Sequence, residues 1–150
     1  MPEEQGEMAP RIVAGADGSS SAQAALHWAV RQARLTGAVL EAVLAWEVPI
    51  ALGRFGTARD VPREDTEFRQ AAEQVLAEAV AGVADAAGGV EVRPQALEGN
   101  AAAVLLAAAR GADLLVVGSR GHGGFAGALL GSVSLQCVQH APCPVVVVRG

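Results

Sequence analysis

Short apolar runs alternate along the chain with longer segments in which apolar residues recur at helical spacing. The runs predict five strands, over residues 11–16, 39–46, 90–97, 114–117 and 144–148. Helical spacing between the runs predicts a helix after each of the first four strands. The resulting β-α-β-α-β-α-β-α-β order is typical of parallel strands joined by right-handed helical crossovers.

Cap and turn residues set the predicted helix boundaries. Ser20 followed by Gln23 fits a capping box at the start of the first helix, which Gly37 ends. The second helix is long and runs to Gly88-Gly89, and Asn100 caps the third. A segment rich in Pro and Gly, residues 47–63, predicts a mobile loop before the long helix.

The length and composition suit a single domain. The chain has 150 residues, of which 51% are hydrophobic, enough to bury a core without stapling by disulfides. We expect residues 1–10 to form a flexible N-terminal tail and residues 11–150 to form one doubly wound α/β domain, with helices on both faces of the sheet.

Charge and cysteine content exclude several classes of protein. The net charge is −5 and every basic residue is Arg, so the basic stripe typical of nucleic-acid binding is missing. The acidic first ten residues do not resemble a signal peptide, and no apolar run approaches about 20 residues. Cys137 and Cys143 are expected to be reduced thiols in or near the core. We therefore expect a cytoplasmic protein without nucleic-acid or membrane partners.

A glycine-rich loop follows the fourth predicted strand, where doubly wound sheets bind ligands. Gly118 and Gly121 permit close approach of a ligand and a positive φ. Backbone amides at the start of the last helix suit an anion, with hydroxyl groups and a positive charge nearby. The residues concerned are Arg120, Gly131, Ser132, Val133 and Ser134. A flexible surface loop without a ligand is the alternative interpretation.

Two other phosphate-binding motifs do not fit this sequence. A Walker A loop needs Lys, which the chain lacks. A Rossmann fingerprint over Gly121, Gly123 and Ala126 would follow the fourth strand rather than the first, without an acidic residue downstream for the ribose.

Asp17 ends the first strand and is the second candidate position. Its carboxylate could accept hydrogen bonds from ribose hydroxyls or an adenine amino group. The alternative is a carboxylate that only stabilises the turn before the first helix, because Asp-Gly-Ser is ordinary turn chemistry.

Several motifs together resemble the universal stress protein family over nearly the whole chain. They are Ile12-Val-Ala-Gly-Ala-Asp17-Gly-Ser19, the strand ending in Ala45-Trp46, Gly118-x2-Gly121-x9-Gly131-Ser132, and Cys143-Pro-Val-Val-Val-Val-Arg149. The resemblance implies a five-stranded parallel sheet of order 3-2-1-4-5 and a homodimer formed through the last strand. The intact glycine signature resembles that of the members that hold ATP.

The resemblance also implies roles for individual residues. Asp17 and Gly15 would lie beside the adenosine, Ala45 would line the adenine pocket, and Gly99 would lie near its edge. The ribose and phosphates would contact Gly118, Arg120, Gly121, Gly131, Ser132, Val133 and Ser134. Some members carry a larger Val where this chain has Ala45, so adenine packing here could be looser. Some carry Pro where this chain has Gly15, a difference expected to be harmless.

The sequence and the resemblance together predict an ATP-dependent sensor or switch in stress signalling, acting with an unidentified protein partner. No catalytic residue or protein metal ligand is predicted, and Mg²⁺ or Mn²⁺ would accompany ATP if a metal is needed. The phosphate loop offers no carboxylate to hold a metal or orient water. A nucleotide-independent interaction module, a slow ATPase and a cyclic AMP binder remain as alternatives.

Overall fold

The computed structural model describes residues 9–48, 62–120 and 130–150. Most of the predicted tail and of the predicted loop at 47–63 lies outside these ranges, as does Gly121. In the ranges described, the strands are β1 Arg11–Gly15, β2 Val39–Trp46, β3 Val92–Glu98, β4 Leu114–Gly118 and β5 Val145–Val148. The helices are α1 Ser20–Thr36, α2 Pro62–Ala81, α3 Ala84–Ala87, α4 Ala101–Ala108 and α5 Ser132–His140.

The five strands form one parallel sheet with the order β3-β2-β1-β4-β5. β1 is the central strand, and its Ala14 lies beside Ala42 of β2 and Val116 of β4. This arrangement confirms the predicted strand order. Because β1 connects to β2 on one side while β4 lies on the other, the strand order reverses between β1 and β4.

Alternate residues of β1 pack against different helices. Ile12 and Ala14 belong to a core cluster with α1, α2 and α3, whereas Val13 packs with residues of α4 and α5. Successive strand side chains point to opposite faces, so the helices cover both faces of the sheet, as predicted. Leu26 and Val30 of α1 are fully buried, and each such burial contributes about 2 kcal/mol.

The start of α1 corrects one prediction. Ser19, not Ser20, is the N-cap, and its hydroxyl oxygen accepts the Ala22 N–H at 3.1 Å. Gln23 makes no capping box because its amide donates to the Ala79 carbonyl of α2, at 2.9 Å. A tertiary contact between the two helices therefore replaces the predicted local one.

The long helix predicted to reach Gly88-Gly89 is divided into α2 and α3 near Gly82. A Cβ at Gly82 would lie 2.8 Å from Gln23 Nε2, so a larger residue would disturb the packing of α2 on α1. Just beyond, the Val83 N–H donates to Val80, three residues back, at 3.1 Å. The tightened turn leaves Val83 only 1% exposed, in the core.

Arg11 joins the sheet to the end of α4. Its guanidinium donates to Glu41 Oε1 at 2.9 Å and to the carbonyl oxygens of Ala108 at 3.0 Å and Arg110 at 2.5 Å. A cation is favourable beside the last carbonyls of a helix, and the pairing offsets the cost of burying Glu41. No helix in the described part of the chain is long and apolar enough to cross a membrane.

Candidate functional site

A cavity of about 300 Å³ opens at the carboxyl ends of the strands. Residues from the ends of β1, β2 and β4 form its floor, and α4 and the start of α5 form its walls. It lies beside the reversal of strand order between β1 and β4, where doubly wound sheets leave a crevice because their connections diverge.

Most of the predicted site residues line this cavity. They are Gly15, Asp17, Ala45, Gly118, Arg120, Gly131, Ser132, Val133 and Ser134. Gly99 does not line it: its φ is 141°, and its N–H donates to the Trp46 carbonyl at 2.8 Å. Residues far apart in the sequence thus meet because the parallel strands end at the same edge.

The sequence predictions missed an apolar part of the lining. It comprises Ala16, Ala22, Val43, Ala101, Leu105 and Val117. Strand alternation could have identified Val43, which lies two residues before Ala45 and faces the same side of β2. Leu105 gave no such signal, because its position depends on how α4 packs across the sheet.

The start of α5 supplies the polar end of the cavity. Gly131 is the N-cap, with φ −71° and ψ 169°, and has no side chain with which to cap the helix. The first amides of a helix lack intrahelical acceptors and carry partial positive charge, so they attract anions. Ser132 and Arg120 line the same end. The combination suits a phosphate or another oxyanion.

The Ser134 hydroxyl, predicted as a phosphate donor, makes contacts within the protein in this structure. The residue is 3% exposed, and its hydroxyl donates to the Ser119 carbonyl at 3.2 Å or the Gly131 carbonyl at 3.1 Å. A hydroxyl has one proton, and here it is engaged within the protein. The side chain therefore fixes the helix start relative to β4.

Asp17 has a turn contact as well as a place in the cavity. Its Oδ1 accepts the Ser19 N–H at 2.8 Å. The turn interpretation and the ligand interpretation are thus compatible, because the carboxylate lines the cavity while it holds the turn.

The positive φ predicted for Gly118 is not observed, and a packing contact gives a separate reason for glycine there. The positive-φ glycines in the described part of the chain are Gly18, Gly37, Gly88, Gly99 and Gly111, so Gly118 does not use a left-handed conformation. A Cβ at Gly118 would instead lie 2.5 Å from Ser21 Oγ. The requirement for glycine comes from the close approach of β4 to α1.

Acidic and thiol groups contribute little to the cavity. Asp17 is the one carboxylate among the described lining residues, and no cluster of His, Cys, Asp or Glu suited to a metal ion occurs in the ranges described. Cys137 is a free thiol on the buried face of α5, and burial raises its pKa to about 11. Such a thiol is a packing group rather than a nucleophile.

Fold and cavity together define a doubly wound α/β protein with a cavity at its topological switch point. A sequence model of the Universal stress protein family matches residues 8–149. The chain belongs to the universal stress protein family.

Individual relatives agree with this assignment. A universal stress protein of Mycolicibacterium smegmatis is 37% identical over 138 residues, covering 92% of this chain and 45% of the relative. One from Thermus aquaticus is 38% identical over 141 residues, covering 92% of this chain and 97% of the relative. This chain spans about half the length of its mycobacterial relatives.

The fold is also shared with solved structures. A universal stress protein crystallised in complex with cAMP is 28% identical, with a TM-score of 0.67. The match covers 94% of this chain and 97% of that protein.

Proposed function

We propose that this chain binds ATP in the cavity and acts in the cytoplasm as a nucleotide-dependent stress sensor, as a homodimer. The observation that carries the proposal is the division of the cavity lining between aliphatic side chains and the polar groups around the start of α5. This division matches a nucleotide, which joins a flat, largely apolar base to charged phosphates.

The apolar end suits adenine. Val43, Ala45 and Leu105 offer aliphatic surface against which the faces of a purine pack. Asp17 lies in the same cavity, and its carboxylate is suited to accept hydrogen bonds from ribose hydroxyls or the adenine amino group. Gly15 has no side chain and so leaves space for Leu105, since a Cβ at Gly15 would lie 3.1 Å from Leu105 Cδ1.

The other end suits phosphates. Arg120 supplies a charge, and the amides at the start of α5 supply donors aimed along the helix axis. The sequence has no acidic residue after Asp113, so this part of an otherwise acidic chain does not repel an anion. We expect Gly131, Ser132 and Val133 to contact the phosphate chain.

Cyclic AMP is the second candidate ligand. The related structure in complex with cAMP favours it, and the contacts proposed for adenosine do not require a triphosphate. Parallel titrations with ATP and cAMP decide between the two nucleotides.

A homodimer through β5 is supported by the edge of the sheet. β5 lies at the end of the strand order and consists of four Val residues. Leu135 and Val138 of the adjacent α5 are 45% and 48% exposed. An unpaired apolar strand beside exposed aliphatic side chains favours pairing with a second copy.

A sensor is favoured over a fast ATPase. Asp17 is the one carboxylate in the described lining, and it also holds the turn before α1. Rapid phosphoryl transfer commonly needs protein groups that hold a metal and orient water. We expect turnover below about 1 s⁻¹, the lower end of ordinary enzyme rates.

Gly131→Val tests the site by calorimetric titration with ATP. Gly131 has extended backbone angles that Val adopts readily, so the variant should fold while its side chain obstructs the phosphate end. We expect at least about tenfold weaker ATP binding, a cost of about 1.4 kcal/mol. Gly89→Val is the matched control, because a Cβ at Gly89 meets no atom within 4 Å and lies away from the cavity.

The outcomes separate the alternatives. Wild-type affinity in Gly89→Val together with weak binding in Gly131→Val supports the assigned site. Equal ATP affinity in both variants would place the nucleotide elsewhere. A wild-type protein that binds neither ATP nor cAMP would favour the nucleotide-independent interaction module.

A further inference from the structure

Ser21 lies outside the cavity lining, yet contacts the backbone that leads into its phosphate end. It belongs to the first turn of α1 and is 6% exposed. Its hydroxyl oxygen accepts the Arg120 N–H at 3.2 Å. The absence of a side chain at Gly118 lets β4 approach this hydroxyl closely. Ser21 is therefore held by packing as well as by a hydrogen bond.

The backbone of Ser119 ties together the segments around it. Its carbonyl accepts the Gly131 N–H at 2.7 Å and is within 3.2 Å of the Ser134 hydroxyl. Its own N–H donates to Val148 of β5 at 2.8 Å. The backbone of Ser119 therefore fixes where Arg120 follows β4 and where Gly131 begins α5.

We propose that Ser21 is a positioning residue. Its hydroxyl holds Arg120 at the phosphate end of the cavity and so favours binding of phosphorylated ligands over binding of the bare nucleoside. The proposal rests on the proposed nucleotide function. Ser21 acts through the backbone of Arg120, and in the ranges described it is one of two residues whose hydroxyls hold this end of the cavity. Ser134 is the other, and it fixes the start of α5.

The physical reason is preorganisation. A binding group that is already held in place loses less conformational freedom when the ligand arrives, so affinity rises without any new ligand contact. Removal of the Ser21 hydroxyl takes one constraint from the Arg120 backbone, and the cost of ordering it then falls on phosphate binding. Adenosine, which has no phosphate, should not incur that cost.

Ser21→Ala tests the proposal with two probes, ATP by calorimetry and adenosine by competition against ATP. We expect ATP binding to weaken about tenfold, the loss of one well-placed hydrogen bond, and adenosine binding to change less than about twofold. Ser20→Ala is the matched control, because Ser20 is the preceding residue of α1 and is exposed. It should leave both affinities unchanged.

The results distinguish positioning from other effects. Equal weakening for ATP and adenosine would mean a general structural role and would overturn the proposal, as would unchanged ATP affinity. If wild-type protein does not bind ATP, the proposed function itself fails. Should Ser21→Ala not fold, hydrogen exchange on wild-type protein decides: slow exchange at the Arg120 amide supports the contact, and exchange as fast as in an unstructured peptide overturns it.

Discussion

Three glycines around the cavity serve different geometric purposes. Gly118 allows β4 to approach Ser21, and Gly15 leaves room for Leu105. Gly131 is the N-cap of α5 and has backbone angles open to other residues, so its lack of a side chain matters for access to the helix amides. Glycine spacing alone could identify the loop, but the separate reasons depend on neighbours distant in the sequence.

The buried thiol of Cys137 gives the chain a specific alkaline pH dependence. Burial raises its pKa to about 11 from an ordinary value of 9.0, so the folded state favours the neutral thiol. The contribution of this thiol to the free energy of unfolding is therefore fully present below about pH 9 and is lost as pH rises toward 11. The chain contains no Tyr or Lys, so no other side-chain type titrates mainly in this interval.

Urea denaturation in reducing buffer measures this effect at two pH values. About pH 8 lies below the interval in which stability is lost, and about pH 10.5 lies within it. Cys137→Ala should lose less stability between the two pH values than the wild-type protein. Cys143→Ala is the control, and it should keep most of the wild-type loss. An identical pH dependence in wild type and Cys137→Ala would contradict the assignment.

At the scale of elements, α1 shows how a tertiary contact corrects a local prediction. The sequence pattern Ser20 to Gln23 fits a capping box, but Gln23 instead reaches Ala79 on α2. That contact also places Gln23 beside Gly82, in the turn between the end of α2 and the start of α3. Periodicity predicted the apolar face of this helical region, whereas the break depends on a contact between helices.

Substitution of the two neighbouring serines checks the cap of α1. Ser19→Ala should lower the free energy of unfolding by about 1 kcal/mol, because the Ala22 N–H loses its acceptor. Ser20→Ala should change it by less than about 0.5 kcal/mol, as expected for an exposed position. Urea denaturation gives both values. A larger loss for Ser20→Ala would restore Ser20 as the cap.

At the scale of the whole molecule, topology creates the site. β1 and β4 are separated by about a hundred residues of sequence, but parallel pairing brings their carboxyl ends side by side. The alternation of strands and helices predicted this edge of the sheet, and family resemblance supplied the strand order. Neither predicted the wall formed by Leu105 or the Ser21 contact, because both depend on how helices pack across strands.

The edge strand predicts how a dimer would be disrupted. The Pro144 carbonyl accepts a hydrogen bond from Leu115 of β4, and the Val148 carbonyl accepts one from Ser119 just after β4. The backbone groups of Val147 therefore face the open edge. Val147→Pro removes an outward N–H and should yield a folded monomer. Val147→Ala keeps that N–H and should remain dimeric. Sedimentation equilibrium measures both, and a wild-type protein that sediments as a monomer would contradict the proposed homodimer.

The central claim, that ATP occupies the cavity at the carboxyl ends of the strands, is tested most directly by amide NMR of ¹⁵N-labelled protein titrated with ATP. We predict saturable shifts concentrated at Gly15, Asp17, Ala45 and residues 131–134. The amide resonances of Gly37 and Gly89, near the amino ends of the strands, should not shift. No saturable shifts, or shifts concentrated near the amino ends of the strands, would contradict the claim.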